Sequence, residues 1–210
     1  MKIIFDFDDV LFNNKKFKKH LFLLLASRGY HDAEKIYETW RSTGEAFDIF
    51  RFLRSLDTSL TDTKVEEFYE EILGFCGECI NEKVLEIMKE VGGDNCYILT
   101  NGIERFQKDK IQRSIGLDMA KEIIIVRGSK KEEIKEICVR YPSEEIIFVD
   151  DKVLYLNDIK GEGYENLKTV LFNEHGLENL KAEIEASRKE EYERTIQPPP
   201  NVPPSSLGMH

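Results

Sequence analysis

Five short apolar runs, separated from one another by stretches of helical periodicity, constrain this chain more than any other feature. They are Lys2 to Phe7, Cys96 to Leu99, Ile123 to Val126, Ile146 to Val149 and Thr169 to Phe172. Runs that are apolar at nearly every position suit strands covered on both faces, as in a parallel sheet between helices. Between them, Val84, Leu85, Ile87, Met88 and Val91 mark a helix stopped by Gly92 and Gly93. Ile134, Ile137, Cys138 and Tyr141 mark another, ended by Pro142. The alternation predicts an α/β fold of three layers around a mainly parallel sheet of about five strands. From Asn13 to about Cys79 the pattern is helical throughout, with Phe17, Leu21, Leu24 and Leu25 on one face and Val65, Phe68, Tyr69, Ile72, Leu73 and Cys76 on another. Residues 178–196 read as a charged helix. The segment QPPPNVPPSSLGMH at 197–210 holds five of the six prolines, cannot build a core, and is expected to be flexible.

Several classes of function are excluded early. Forty acidic against 30 basic residues give a formal charge of -10, which argues against binding nucleic acid as a polymer and for a small ligand. No run reaches the ~18 to 20 apolar residues of a membrane span. The N-terminus meets acidic residues too early for a signal peptide, so a cytoplasmic protein is expected. The templates GxSxG, GxxxxGK[ST] and GxGxxG are absent, and the four histidines, His20, His31, His175 and His210, show no metal-ligand spacing. Cys76 and Cys79 form a CxxC without a second pair, which reads as a helix end, and no disulfide is expected. The chemistry must therefore rest on carboxylates.

In IIFDFDDVLF, Asp6 and Asp8 are two apart in a segment expected to be extended, so both point to one side. The carboxyl ends of parallel strands form the ligand crevice, and two carboxylates there repel unless a cation or a shared proton relieves them. Magnesium is the simplest relief, because it takes one or two carboxylates, waters and a phosphate oxygen. The carboxylate of Asp6 is placed to attack phosphorus, and that of Asp8 to pass a proton to the leaving alcohol and later to activate water. Acidic residues after a strand also make turns and helix caps, the role expected of Asp9. The second strand ends in YILTNG, where the Thr100 hydroxyl and the amides around Asn101 and Gly102 suit a phosphoryl oxygen. The fourth ends in IIFVDD, adding Asp150 and Asp151 to the same edge at a cost that a cation would offset. Lys130 and Lys131 open a helix between these segments. A lysine there opposes the helix dipole and calls for solvent or an anionic partner such as phosphate.

On these residues the chain resembles the haloacid dehalogenase superfamily, phosphatase branch, with an α-helical (C1-type) cap; its four motifs occur in order across residues 1 to about 175. Asp6, Phe7, Asp8 and Val10 match the first, Thr100 the second, Lys130 the third with Lys131 in reserve, and Asp150 with Asp151 the fourth. The resemblance implies a Rossmannoid core at 1–12 and 80–177 with the cap at 13–79. It also implies Asp6 as nucleophile and Asp8 as general acid/base, with phosphate held by Thr100, Asn101 and Lys130. Mg2+ would be bound by Asp6, the Asp8 main-chain carbonyl and Asp151, with Asp150 supporting. The implied activity is magnesium-dependent hydrolysis of a small phosphorylated metabolite through an aspartyl phosphate. A phosphomutase or phosphotransferase of the same fold, or a catalytically silent phospho-ligand scaffold, are the alternatives; Asp8 speaks against the dehalogenase branch. One departure is Tyr155, where the family often has Asp or Asn. In the cap, Trp40, Arg41, Phe47, Phe50 and Arg51 either line its inner surface or form its own core. Lys15, Lys16, Lys18 and Lys19 either attract an anionic substrate or make a solvated face. Nothing in the sequence sets the oligomeric state.

Overall fold

The structure, a computed structural model, describes residues 1–196; the proline-rich segment at 197–210 lies outside the described residues. In chain order the elements are β1 (Lys2–Phe5), α1 (Asn14–Ser27), α2 (Ala33–Ser42), α3 (Ile49–Leu56), α4 (Asp62–Leu73), α5 (Glu82–Val91), β2 (Cys96–Asn101), α6 (Glu104–Gln112), β3 (Glu122–Val126), α7 (Lys131–Arg140), β4 (Ile146–Asp150), α8 (Val153–Lys160), β5 (Leu167–Leu171) and α9 (Gly176–Ile196). The strands form one sheet in the order β3-β2-β1-β4-β5, and every neighbouring pair is parallel.

Alternation along the inner strands β2, β1 and β4 divides the core into two layers. Ile3, Phe5, Cys96, Ile98, Ile147 and Val149 pack with α5, α6 and α9 on one face, while Ile4, Tyr97, Leu99, Ile146 and Phe148 pack with α7 and α8 on the other. This is why the strands read as continuous apolar runs: successive residues enter different cores, and both are dry. β1 lies between β2 and β4, so the strand order reverses direction beside it. That reversal opens a crevice at its carboxyl end.

Helices α1 to α4 fill most of the stretch between β1 and α5. Each of three starts on a side-chain cap: Asn13 accepts from Lys16 N at 2.8 Å, Asp48 from Phe50 N at 3.0 Å, and Thr61 from Lys64 N at 3.3 Å. The chain leaves and rejoins the sheet unit at one place. There Phe12 bridges Ile80, Asn13 N donates to Cys79 O at 2.7 Å, and Asn81 N donates to Leu11 O at 2.8 Å. Cys76 and Cys79 lie in a short 3-10 turn at this clasp; both are buried and free, and burial pushes the Cys76 thiol up to about 12. Among the described residues no helix is long and apolar enough to cross a membrane.

Several expected strand ends change, among them that of β5, which spans Leu167–Leu171 instead of Thr169 to Phe172. β1 stops at Phe5, before the expected Phe7, because the chain turns at once: Leu11 N and Phe12 N both donate to Phe7 O, and Asp9 adopts a left-handed φ of 63°. Asp tolerates that region better than most residues, and its carboxylate accepts from Asn14 N at 3.2 Å, the turn role expected of it. Conversely β2 runs on to Asn101 and β4 to Asp150. Thr100, Asn101 and Asp150 therefore belong to the strand ends and are held by the ladder.

Candidate active site

At the carboxyl end of β1, Lys130 Nζ donates to Asp6 Oδ1 and to Asp150 Oδ2, each at 2.6 Å. The three side chains are almost fully buried, at 2%, 3% and 0% exposure respectively. One ammonium between two carboxylates leaves a net negative charge in the interior, which is unstable without a further cation or a proton. Lys131, by contrast, points outward to Glu162 at 2.6 Å, so Lys130 is the lysine that meets the carboxylates.

The negative surplus falls on particular atoms. Asp150 has both oxygens engaged, since Oδ1 accepts from Lys152 N at 2.8 Å. Asp6 Oδ2 and Asp151 Oδ1 are buried without a hydrogen-bond donor. Burial, outweighing Lys130 and reinforced by Asp150 and Asp8, pushes the Asp6 carboxyl up to about 7. Burial, with Asp150 and Asp9 nearby, also raises Asp151. Oxygens of Asp6, Asp150 and Asp151 lie within 4.8 Å of one another. Hard oxygen donors with two orphaned atoms suit a divalent cation such as magnesium; the Asp8 carboxylate is not part of this triangle.

Asp8 turns elsewhere. Lys110 Nζ donates to its Oδ1 at 2.5 Å and Gln107 Nε2 to its Oδ2 at 2.7 Å. Burial alone would raise Asp8, but Lys110 and Gln107 outweigh it and hold the carboxyl below its ordinary value. Asp6 and Asp8 are thus near each other yet differently tuned, because the turn after Phe5 replaces the extended geometry expected for them.

Thr100 is buried, and its Oγ1 accepts from Gln107 Nε2 at 3.1 Å, which leaves its own proton for an acceptor at the crevice. Asn101 Nδ2 donates to Gly128 O at 2.5 Å and to Tyr155 Oη at 2.9 Å. The Gly102 amide donates to Val126 O at 3.0 Å and is not free as the sequence suggested. Tyr155 takes no part in the carboxylate cluster; its ring centroid lies 5.0 Å from Lys130 Nζ.

Gln107, Lys110 and Lys152 escaped sequence reasoning. Burial would lower the Lys152 ammonium, but Asp6 and Asp151 outweigh this and hold it above its ordinary value. A cleft of about 510 Å3 opens beside the site on the Asp8 side, lined by Asp8, Lys110, Lys152 and Tyr155 and by Lys18, Arg41 and Phe47 from the helical stretch between β1 and α5. Trp40 and Arg51 do not line it; the Arg51 guanidinium lies 4.9 Å from the Trp40 ring centroid and the Trp40 ring meets Phe47 edge-on. The Phe50 ring packs on Tyr69 at 4.5 Å. A cavity of about 1020 Å3 lies between α1 and α2, and Asp6, Asp8, Asp150 and Asp151 do not line it. Lys15, Lys16 and Lys19 border it.

No protein-family model and no curated protein matches the chain. Solved structures do. A haloacid dehalogenase-like hydrolase of Burkholderia xenovorans superposes with a TM-score of 0.61 at 21% identity, covering 83% of this chain and 86% of that one. The HAD-hydrolase YfnB of Bacillus subtilis, bound to magnesium, gives 0.52 at 18% identity, covering 81% and 85%. A protein described as a beta-phosphoglucomutase from Thermotoga maritima gives 0.52 at 17% identity, covering 89% and 92%. The chain therefore has the haloacid dehalogenase-like fold.

Proposed function

We propose that this chain is a magnesium-dependent phosphohydrolase of the haloacid dehalogenase superfamily, acting on a small phosphomonoester through an aspartyl phosphate on Asp6. The observation that carries the reading is the pair of buried, donorless oxygens on Asp6 and Asp151, beside Lys130 at the end of the central strand. A phosphate held there meets the Thr100 hydroxyl and the Lys130 ammonium, the two donors suited to its non-bridging oxygens. Magnesium would be held by Asp6, Asp151 and the Asp8 main-chain carbonyl with Asp150 supporting, and would supply the positive charge that lets an anionic nucleophile approach an anionic ester.

Asp6 forms the new O–P bond as the ester O–P bond breaks, and the leaving oxygen takes a proton from Asp8, which must first take that proton from solvent because Lys110 and Gln107 hold its carboxyl below the ordinary value. In the second half, Asp8, ionised again, removes a proton from the attacking water, and the Asp6–phosphate bond is cleaved. The helical stretch that lines the cleft keeps bulk water from competing. A cleft of about 510 Å3 has room for a small metabolite rather than a polymer.

The test is phosphate release from sugar phosphates, nucleotides and a chromogenic ester, with magnesium or chelator, for the wild type and Asp6→Asn. Magnesium-dependent release lost on substitution is expected. Folded protein that releases phosphate from none of them would turn the reading toward a phosphotransferase or a silent phospho-ligand scaffold.

A further inference from the structure

We infer that Cys76 and Cys79 are a redox-active pair, which a small-molecule disulfide closes into an intramolecular bond across the 3-10 turn between the helical stretch and α5. Local geometry is the first observation. Cys76–Cys79 form a single 3-10 turn, and in such a helix side chains three apart eclipse, with a rise of ~2.0 Å per residue. The two Cα atoms are therefore ~6 Å apart with their side chains on one side, inside the span of ~4.4 to 6.8 Å that a disulfide bridges. The sulfurs also sense each other: charge on Cys79 adds to the burial that pushes the Cys76 thiol up to about 12.

Neither sulfur has another use. Both cysteines are buried and free, and among the described residues neither thiol makes a hydrogen bond, whereas the Cys96 thiol donates to Met88 O and Gly92 O. A structural zinc would need four ligands, and among the described residues no cluster of metal-ligating groups includes Cys76 or Cys79. Position is the second observation. The turn is held against the segment that leaves β1: Asn13 N donates to Cys79 O at 2.7 Å, Phe12 bridges Ile80, and Lys16 Nζ donates to Glu78 O at 2.5 Å. A bond across the turn therefore stiffens the place where the chain returns from the helical stretch to the sheet unit.

Closure takes two exchange steps. Cys79 is the first nucleophile, because Lys16 at the outer edge of the turn works against the burial that raises its thiol. The Cys79 sulfur bonds one sulfur of the small disulfide as that S–S bond breaks, and the departing thiolate takes up the proton that Cys79 gave up. The Cys76 sulfur then bonds Cys79, the mixed S–S bond breaks, and the second small thiol leaves with the Cys76 proton. Two protein thiols are oxidised while one small disulfide is reduced to two thiols. Because both residues are fully buried, the first step follows local opening of the turn. Burial also denies the reduced pair a stabilised thiolate, the feature that makes low-pKa pairs easily reduced, so the bond persists once formed.

The test equilibrates the folded full-length chain with graded mixtures of oxidised and reduced glutathione, quenches it in acid, and maps the thiols by alkylation and mass spectrometry. The expected product lacks two hydrogens in the peptide spanning Cys76 and Cys79, with Cys96 and Cys138 still alkylated. Chain oxidised in denaturant and then refolded approaches the same equilibrium from the other side, so slow opening of the turn does not hide the bond. Cys76→Ala should trap glutathione on Cys79, and Cys79→Ala should leave Cys76 unmodified. In the oxidised wild type, hydrogen exchange at the Asn13 and Asn81 amides, which donate to Cys79 O and Leu11 O, should slow by about tenfold, the scale of constraining a short loop. Thiols at 76 and 79 that stay free from both directions in oxidised glutathione alone, or glutathione adducts that never resolve into the bond, overturn the pair. Equal amide exchange in the two forms overturns its hold on the turn.

Discussion

Lys110 reaches Asp8 from inside a ring of four phenylalanines: its Nζ is 2.5 Å from Asp8 Oδ1, with the Phe7, Phe12, Phe17 and Phe106 centroids at 5.0, 4.8, 5.8 and 5.1 Å. Aromatic faces stabilise an ammonium, but they leave it one carboxylate, and that carboxylate is the proposed acid/base. The pair ties α6 to the turn after β1 and decides where Asp8 points.

Lys110→Met should therefore cost about 3 kcal/mol of stability, because removing one member of a buried pair strands the other. Asp8→Asn in the same background should recover part of that loss, since the stranded charge is gone. Urea denaturation of the two single variants and the double variant measures the coupling. Strict additivity, or a Lys110→Met loss below about 0.5 kcal/mol, would show the pair to be structurally idle.

The Asp6 carboxyl, raised from 3.8 to about 7 in the protein without metal, sets a pH dependence of stability. The folded state binds its proton more tightly than the unfolded chain does. Its contribution is fully present below about pH 4 and is lost as pH rises through about 7. In chelator, Asp6→Asn should gain stability relative to wild type across that window, and magnesium should narrow the difference by binding the wild type. Parallel melting curves of the two proteins from pH 4 to 8 would refute this.

Much of the architecture was legible because the inner strands β2, β1 and β4 feed two buried layers: Ile3 and Phe5 enter one core and Ile4 the other. Strand-end polar residues such as Thr100 and Asp150 stood out because water-seeking groups interrupt those runs. The turn after Phe5 was hidden, because Phe7 is apolar and continues the apparent strand, and a left-handed Asp9 leaves no trace in periodicity. Gln107 and Lys110 were hidden differently. Helix α6 has only Phe106 and Ile111 as buried apolar residues, and its inner stripe is completed by Gln107 and Lys110 on the same side. A helix packed on the sheet with too few apolar residues to cover its buried face is the signal that would have exposed them.

Gly102 tests the Gln107 part of that stripe. A Cβ at Gly102 would stand 2.8 Å from Gln107 Cγ and 2.9 Å from its Nε2, so Gly102→Ala must displace a side chain whose amide donates to Asp8, Thr100 and the Asn101 carbonyl. A loss of about 1 to 3 kcal/mol is expected from unsatisfying those buried acceptors, together with lower kcat, because Asp8 and Thr100 both lose a fixed neighbour. Gln107→Ala combined with Gly102→Ala should cost little more than Gln107→Ala alone. An additive double variant would place the clash elsewhere.

Tyr155 bears on the metal. It stands where the resemblance leads one to expect Asp or Asn, and instead its hydroxyl accepts from Asn101 while its ring lies over Lys130 and Lys152, with centroids 5.0 and 5.6 Å from their ammonium nitrogens. The cation proposed at Asp6 and Asp151 thus lacks an outer carboxylate on this side, and such partners change metal affinity by about 10- to 100-fold. Tyr155→Asp should tighten magnesium by about tenfold and also free Asn101. Tyr155→Phe should leave magnesium affinity unchanged and raise KM, since it removes the Asn101 anchor without altering charge. Magnesium titration followed by melting temperature distinguishes the effects, because a ligand bound only to the folded state raises stability with the logarithm of its concentration. If Tyr155→Asp binds magnesium no better than Tyr155→Phe, the ring rather than the missing charge governs that side of the site.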